Sequence, residues 1–258
     1  MKTPVIEVKD LSVRRGNEMV IKDATFTISR GDYVGIVGPN GGGKTSLLLT
    51  LLGIIPLERG TIRLFGKDIS SFSQWERIAY VSQDATNFDV NFPLTVRELV
   101  SLGRIRRNLI GRKLRKDDWN AVDETLRFMG IENIAHRRIG ELSGGQKQRV
   151  FVAKALVRNP DIIFLDEPVT GVDAETQEKF YKKLSDLNIT RGTTIMIVSH
   201  DLAAVFCRMS KVMCVNREVH MADITEELEP DEILKKVYGE HFHFVFHRHQ
   251  CSGVFEHE

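Results

Sequence analysis

The chain has 258 residues, 42% of them hydrophobic, and its 36 Lys and Arg against 35 Asp and Glu leave a formal net charge of +1. That composition is globular and excludes a disordered chain, and near-neutrality removes the basic surplus on which nucleic-acid binding rests. Three further exclusions follow from the order of residues. The longest apolar run, Leu47 to Leu57, contains Gly53 and Pro56 and falls short of the roughly 18 residues a spanning helix needs. Met1 to Asp10 has no signal-peptide h-region. Three cysteines, Cys207, Cys214 and Cys251, are too few for a disulfide framework. The expectation is a protein of a reducing, cytosolic compartment that does not enter a membrane by itself.

In chain order, Val5-Ile6-Glu7-Val8 and Ala24-Thr25-Phe26-Thr27-Ile28 are β-rich runs on either side of the turn-prone Arg15-Gly16-Asn17, which predicts an antiparallel hairpin region. Tyr33-Val34-Gly35-Ile36-Val37 is a short buried strand leading into glycine-rich sequence and an apolar helix, Thr45 to Leu52. Strand, loop and helix in that order open a nucleotide-binding fold. Thr61 to Phe65 and Ile78 to Ser82 read as a second antiparallel piece. Between Phe92 and Gly145 the apolar period is helical, as in Val96, Leu99 and Val100 and again in Val122, Leu126 and Met129. A basic stretch from Gly103 to Lys116 interrupts it as an exposed loop. Arg149 to Arg158 predicts an amphipathic helix, Ile162 to Leu165 a buried strand, Glu175 to Leu187 a helix and Thr194 to Val198 another buried strand. Strands alternating with helices imply a mainly parallel sheet.

Three motifs carry chemistry. Gly38-Pro39-Asn40-Gly41-Gly42-Gly43-Lys44-Thr45 fits the phosphate-loop pattern GxxxxGK[ST] between a strand and a helix. Its glycines let backbone N–H groups turn toward phosphate oxygens that a Cβ would obstruct. Lys44 meets the β/γ-phosphate charge, and the Thr45 hydroxyl suits Mg²⁺. Asp166 and Glu167 stand at the carboxyl end of the strand Ile162-Ile163-Phe164-Leu165, where α/β sheets bind ligands. There Asp166 would hold Mg²⁺ through water and Glu167 would polarise an attacking water. Leu142-Ser143-Gly144-Gly145-Gln146 is formally a capping box. A cap needs no glycine pair, however, and bare N–H groups with a Ser hydroxyl at a helix start make a second phosphate contact.

With these motifs in this order, the chain resembles an ATP-binding cassette (ABC) ATPase over nearly its whole length. The resemblance implies an α/β fold: a P-loop core with a mainly parallel sheet, an N-terminal antiparallel β subdomain and an inserted α-helical subdomain. Residues 1–84 and 146–225 would form the catalytic core, 85–145 the helical signature subdomain, and 226–258 a C-terminal helix and His-rich tail. Gly38 to Thr45 is similar to the Walker A loop, with Ser46 its second hydroxyl residue. Gln83 in Tyr80-Val81-Ser82-Gln83 resembles the Q-loop glutamine that touches Mg²⁺ and senses a membrane partner. Ser143, Gly144, Gly145 and Gln146 match the family signature, Asp166 the Walker B acid and Glu167 the catalytic base. Asp173 in Thr170-Gly171-Val172-Asp173 falls in the D-loop, and His200 in Ser199-His200-Asp201 is the switch histidine. ATP and Mg²⁺ are the implied cofactors. Each ATP would lie between the Walker A loop of one copy and the signature of another, so one cassette per chain implies a homodimer, closed by ATP and reopened by hydrolysis.

One position departs from the family pattern. An adenine-stacking aromatic usually precedes the first-hairpin glycine, whereas Arg15 precedes Gly16. A guanidinium can stack on a base with little purine discrimination, which predicts appreciable GTP use, or it points to solvent. Asn91-Phe92-Pro93-Leu94-Thr95-Val96, Leu102-Gly103-Arg104 and Thr170-Gly171-Val172-Asp173 resemble zinc and manganese import ATPases. Such a chain would work at the cytoplasmic face of the cell membrane under a separate transmembrane permease, fed by a metal-binding protein outside. Siderophore or cobalamin import ATPases share part of this pattern, and a soluble cassette ATPase of iron–sulfur cluster assembly is the rival from another class. In the tail, His241, His243, His247, His249 and Cys251 would share one face of an extended chain, a candidate Zn²⁺ site; a helix would instead pair His243 with His247.

Overall fold

A computed structural model of the chain describes residues 3–86, 93–105, 111, 113–169 and 173–239. Two long strands come first, β1 (Pro4–Arg15) and β2 (Glu18–Ser29), antiparallel and joined at Gly16-Asn17. Gly16 has φ +60°, the left-handed backbone that a two-residue hairpin turn requires. β3 (Tyr33–Val37) is buried throughout and leads to α1 (Lys44–Leu51). Then follow β4 (Arg59–Leu64), β5 (Lys67–Asp68) and β6 (Ile78–Val81). Among the described residues, three α-helices lie between β6 and the next strand: α2 (Val96–Leu102), α3 (Lys116–Met129) and α4 (Gly144–Leu156). The chain continues through β7 (Ile162–Asp166), α5 (Ala174–Arg191), β8 (Thr194–Val198) and α6 (Leu202–Arg208). The described residues end with a hairpin, β9 (Lys211–Asn216) and β10 (Glu218–Asp223), and α7 (Pro230–Tyr238). No helix among the described residues is long and apolar enough to cross a membrane.

The chain divides into two compact units, Met1–Gln74 with Leu187–Glu258, and Trp75–Asp186. In the first, an antiparallel sheet has the order β2-β1-β4-β5, and a second set of strands has β3 parallel to both β8 and β9. β8 is buried at every residue and α1 buries Leu47, Leu48 and Leu51. Each fully buried side chain of this kind contributes about 1.5–3 kcal/mol. Residues 202–223, for which periodicity gives no assignment, form α6 and the β9–β10 hairpin.

The second unit holds β6, β7 and α2 to α4. The expectation that Ile78 to Ser82 pairs antiparallel with the strand near Thr61 is corrected here. β6 runs parallel to β7, with Ile78 opposite Ile162 and Val81 opposite Leu165, while β4 pairs with β1. A four-residue apolar run carries no information on direction. α2 begins at a capping box: Thr95 Oγ1 accepts from the Glu98 N–H, and Glu98 Oε2 accepts from the Thr95 N–H at 2.8 Å. Leu102-Gly103-Arg104 also has a packing role. A Cβ on Gly103 would stand 2.2 Å from the Lys154 carbonyl oxygen on α4, and Arg104 pairs with Asp118 of α3 at 2.9 Å. The three helices thus meet around this tripeptide. The α/β class, the N-terminal antiparallel sheet, the parallel pairs and the intervening helices are those the sequence predicts.

Candidate functional site

In the first unit, parallel strands β3 and β8 run side by side, with Gly35 opposite Ile197 and Ile36 opposite Val198. The chain leaves β3 into the glycine loop and leaves β8 into Ser199-His200, so both emerge at the carboxyl edge of one strand pair, where such sheets bind ligands. Ser199 N–H donates to the Ile36 carbonyl at 3.1 Å, and His200 is exposed beside it. Asp201 then caps α6 by accepting from the Ala204 N–H.

The loop is pressed against backbone. At Gly38, φ is +151° and a Cβ would meet the Val215 carbonyl oxygen at 2.0 Å; at Gly43, φ is +102° and a Cβ would meet the Val20 carbonyl oxygen at 2.6 Å. No other residue fits either position. Gly41 has nothing within 4 Å of its built Cβ and faces open space. Lys44 is buried, and its ammonium donates to the carbonyls of Gly38 at 2.9 Å and Pro39 at 3.0 Å. These two bonds hold the ammonium over its own loop. Ser46 is buried in α1, and Thr45 is half-buried.

The β9–β10 turn supports this loop, a role that no motif announces. Arg217 N–H donates to the Gly42 carbonyl at 3.0 Å, and Lys22 N–H donates to the Arg217 carbonyl at 2.8 Å. Asn216 Nδ2 donates to the Val237 carbonyl on α7. Burial pushes the phenol of Tyr238, at the end of α7, above the ordinary range, and the Gly38 N–H offsets part of that shift. A hairpin turn and a helix end act together here, and only the folded register brings them to the loop.

In the second unit, β6 and β7 bring a comparable set together. Asp166, the last residue of β7, is 1% exposed. Glu167 follows it with φ +50°, a left-handed conformation that costs a non-glycine residue about 1–3 kcal/mol and that clusters at functional sites. Gln83 Nε2 donates to Glu167 Oε2 at 3.1 Å, so the candidate base and the candidate Q-loop glutamine are joined. Ser143 forms the capping box of α4, accepting from the Gln146 N–H while Gln146 Oε1 accepts from the Ser143 N–H at 3.1 Å. Gly144 and Ser143 are exposed, and a Cβ on Gly144 would touch nothing within 4 Å. Nothing in the described chain requires glycine there. Asp173 accepts from the Thr176 N–H at 2.9 Å, which holds its carboxyl below the usual range.

A cavity of about 450 Å³ opens in this unit, lined by Tyr80, Val81, Leu102, Gly103, Phe151 and Arg158 among others. The exposed Leu102 is on its wall. Mg²⁺ suits the donors that the motifs supply: the Thr45 hydroxyl, the Asp166 carboxylate and the Gln83 amide oxygen are all hard oxygens. Among the described residues no group of three or more His, Cys, Asp and Glu could hold a metal. Arg15 is exposed at the end of β1. Asn91, Phe92, Thr170, Gly171, Val172 and the tail residues His241, His243, His247, His249 and Cys251 lie outside the described residues.

Comparison with known proteins agrees with this assembly. The sequence profile of the ABC transporter family matches residues 21–170. The chain is 39% identical over 215 residues to the zinc uptake system ATP-binding protein ZurA of Listeria innocua, covering 83% of this chain and 84% of that one. It is 35% identical over 240 residues to the manganese transport system ATP-binding protein MntB of Bacillus subtilis, covering 93% and 94%. Among solved structures it is similar to cbiO1 of Clostridium perfringens, part of the ABC transporter complex cbiONQ, with 29% identity, a TM-score of 0.78 and coverage of 92% and 95%. It is also similar to a dimeric ATP-binding cassette bound to ADP and Pi in a post-hydrolysis state, with 26% identity, a TM-score of 0.72 and coverage of 85% and 99%. Family profile, strand-end geometry and motif order converge: the chain belongs to the ABC transporter family, as one of its ATP-hydrolysing cassettes.

Proposed function

We propose that the chain powers import of a divalent metal ion, zinc or manganese, through a separate membrane permease, working as a homodimer at the cytoplasmic face. The observation that carries the reading is the series of nucleotide motifs in the sequence, in a chain whose relatives over most of its length are named for zinc uptake and manganese transport. The dimer is supported by the open face at Gly144 and by the dimeric cassette with ADP and Pi. The exposed Ser143-Gly144 pair at the start of α4 has the chemistry to contact a phosphate of another copy's nucleotide.

Lys44 exchanges its two carbonyl acceptors for phosphate oxygens, a charge-assisted gain over neutral partners. Thr45 and Asp166 supply oxygens to Mg²⁺, which when bound neutralises charge on the β- and γ-phosphates. Glu167 orients and deprotonates the attacking water, and Gln83 holds its carboxylate in place. His200 contacts the γ-phosphate, and Ser143 with Gln146 acts on the second copy's nucleotide. Arg15 is the candidate to stack on the base.

The cavity beside Tyr80 and Leu102 is the docking place for a permease helix. Its volume suits the end of a helix about 10 Å across, its walls include apolar Val81 and Phe151, and Glu76, Lys154 and Arg158 supply polar partners. Capture of the chain from detergent-solubilised membranes is expected to bring a polytopic permease with it. Recovery of a soluble iron–sulfur assembly scaffold in its place would overturn the reading in favour of the cluster-biogenesis class.

A further inference from the structure

The β9–β10 turn of the first unit is a single residue. Asn216 pairs with Glu218 across the hairpin, and Arg217 alone joins them with φ +60°, a backbone that residues other than glycine enter at a cost. Both of its backbone groups are engaged: the N–H donates to the Gly42 carbonyl at 3.0 Å, and the carbonyl accepts from the Lys22 N–H of β2 at 2.8 Å. A non-glycine residue persists in that region where its surroundings over-determine the backbone, and such places cluster at functional sites. Here the surroundings are the phosphate loop and β2. Val215, two residues earlier on β9, also abuts the loop, its carbonyl oxygen 2.8 Å from where a Cβ on Gly42 would stand. The Gly42–Gly43 peptide is trans, and in a planar trans peptide the carbonyl and the following N–H point in opposite directions. With the Gly42 carbonyl turned out to Arg217, the Gly43 N–H is turned the other way, to the side of the loop where backbone N–H groups meet phosphate oxygens.

We propose that Arg217 is a positioning residue for the phosphate loop: its left-handed backbone lets its N–H hold the Gly42 carbonyl outward, which aims the Gly43 N–H at the bound phosphate. The proposal rests on the reading of this loop as the nucleotide site, but not on the cargo, the permease or the second copy. The guanidinium is secondary. It reaches Glu18 Oε1 at 2.8 Å, but both side chains are 66% exposed, and exposed pairs contribute little. What matters is the backbone angle. Glycine and asparagine take left-handed backbone readily, alanine less so and β-branched valine least.

The test is equilibrium binding of ATP, and of inorganic triphosphate, which has phosphates and no base, at a temperature where every chain is folded. The full chain carries Arg217→Gly, Arg217→Asn, Arg217→Ala or Arg217→Val. Affinity for both ligands is expected to fall from Gly and Asn through Ala to Val, with about tenfold between the ends of the series. Three members suffice to read the order if Arg217→Val does not fold. An order that appears in the unfolding midpoints and not in the affinities makes Arg217 merely structural and overturns the proposal. An equal loss in all four variants also overturns it, because the role would then belong to the guanidinium. So does a trend in ATP binding that triphosphate does not share. A parent chain that binds neither ligand would instead count against the nucleotide-site reading itself, so the two failures are told apart.

Discussion

At the scale of single residues, the positions with a fixed spacing are legible in the sequence itself. Lys44, Asp166 and Glu167 lie in motifs whose chemistry is set by sequence order; Lys44 opens α1 after the glycine loop, and Asp166 and Glu167 stand at the end of β7. Arg217 and Asn216 are not legible, because neither has a spacing signal; the Arg217 N–H reaches the Gly42 carbonyl, and Asn216 the Val237 carbonyl, only in the folded register. The left-handed backbone at Glu167 is likewise invisible in sequence, and it gives physical weight to the choice of base. Glu167→Gln keeps the side chain's size and leaves an amide oxygen to accept from Gln83. Phosphate release by that variant is expected to fall by at least about a hundredfold, while equilibrium ATP binding stays near that of the parent. Undiminished turnover would reject Glu167 as the base.

At the scale of elements, the helices between β6 and β7 are tied at their ends by carboxylates. Glu98 accepts from Thr95, Asp118 from Arg115 and Arg104, and Asp123 holds Arg97 through two bonds at 2.7 and 2.9 Å. The Thr95 N–H and hydroxyl hold Glu98 below its ordinary range, the Arg115 N–H does so for Asp118, and the Arg97 guanidinium does so for Asp123. In each case the folded value lies below the unfolded one. The contribution is therefore complete above the ordinary carboxylate range, near pH ~4, and is lost as pH falls through the depressed values. Trp119 reports on this, since Arg97 lies 4.3 Å from its ring centroid. In a Trp75→Phe background, Trp119 emission is expected to hold from neutrality to about pH 4.5 and to move toward that of exposed indole below it. Asp123→Asn, which breaks the pair, is expected to show part of that change already at neutral pH. Identical, pH-independent emission from both chains would contradict a role for these carboxylates. The periodicity of α2 and α3 can be read directly, because one face of each is apolar. The direction of β6 cannot, since four apolar residues pair equally well either way, and only packing against β7 decides.

At the scale of the molecule, what composition presents as an exclusion becomes a requirement. No helix among the described residues is long and apolar enough to cross a membrane, and the chain belongs to a transporter family; in the proposed reading its cargo passes through a separate permease. In that reading the signature turn at Ser143-Gly144 meets a phosphate held by a second copy, and the cavity beside Tyr80 receives a permease helix. Motif order alone reveals the ATP chemistry; the cargo rests on relatives and on short motifs, one of which, Leu102-Gly103-Arg104, has a packing explanation of its own. The cargo is therefore what most needs measuring. Radioactive zinc and manganese uptake should be followed in cells whose only copy of this chain carries Glu167→Gln, beside cells with the parent chain. Uptake of one of the two metals is expected to collapse while uptake of iron siderophores and cobalamin is unchanged. Zinc and manganese uptake both at parental levels would contradict a role in metal import.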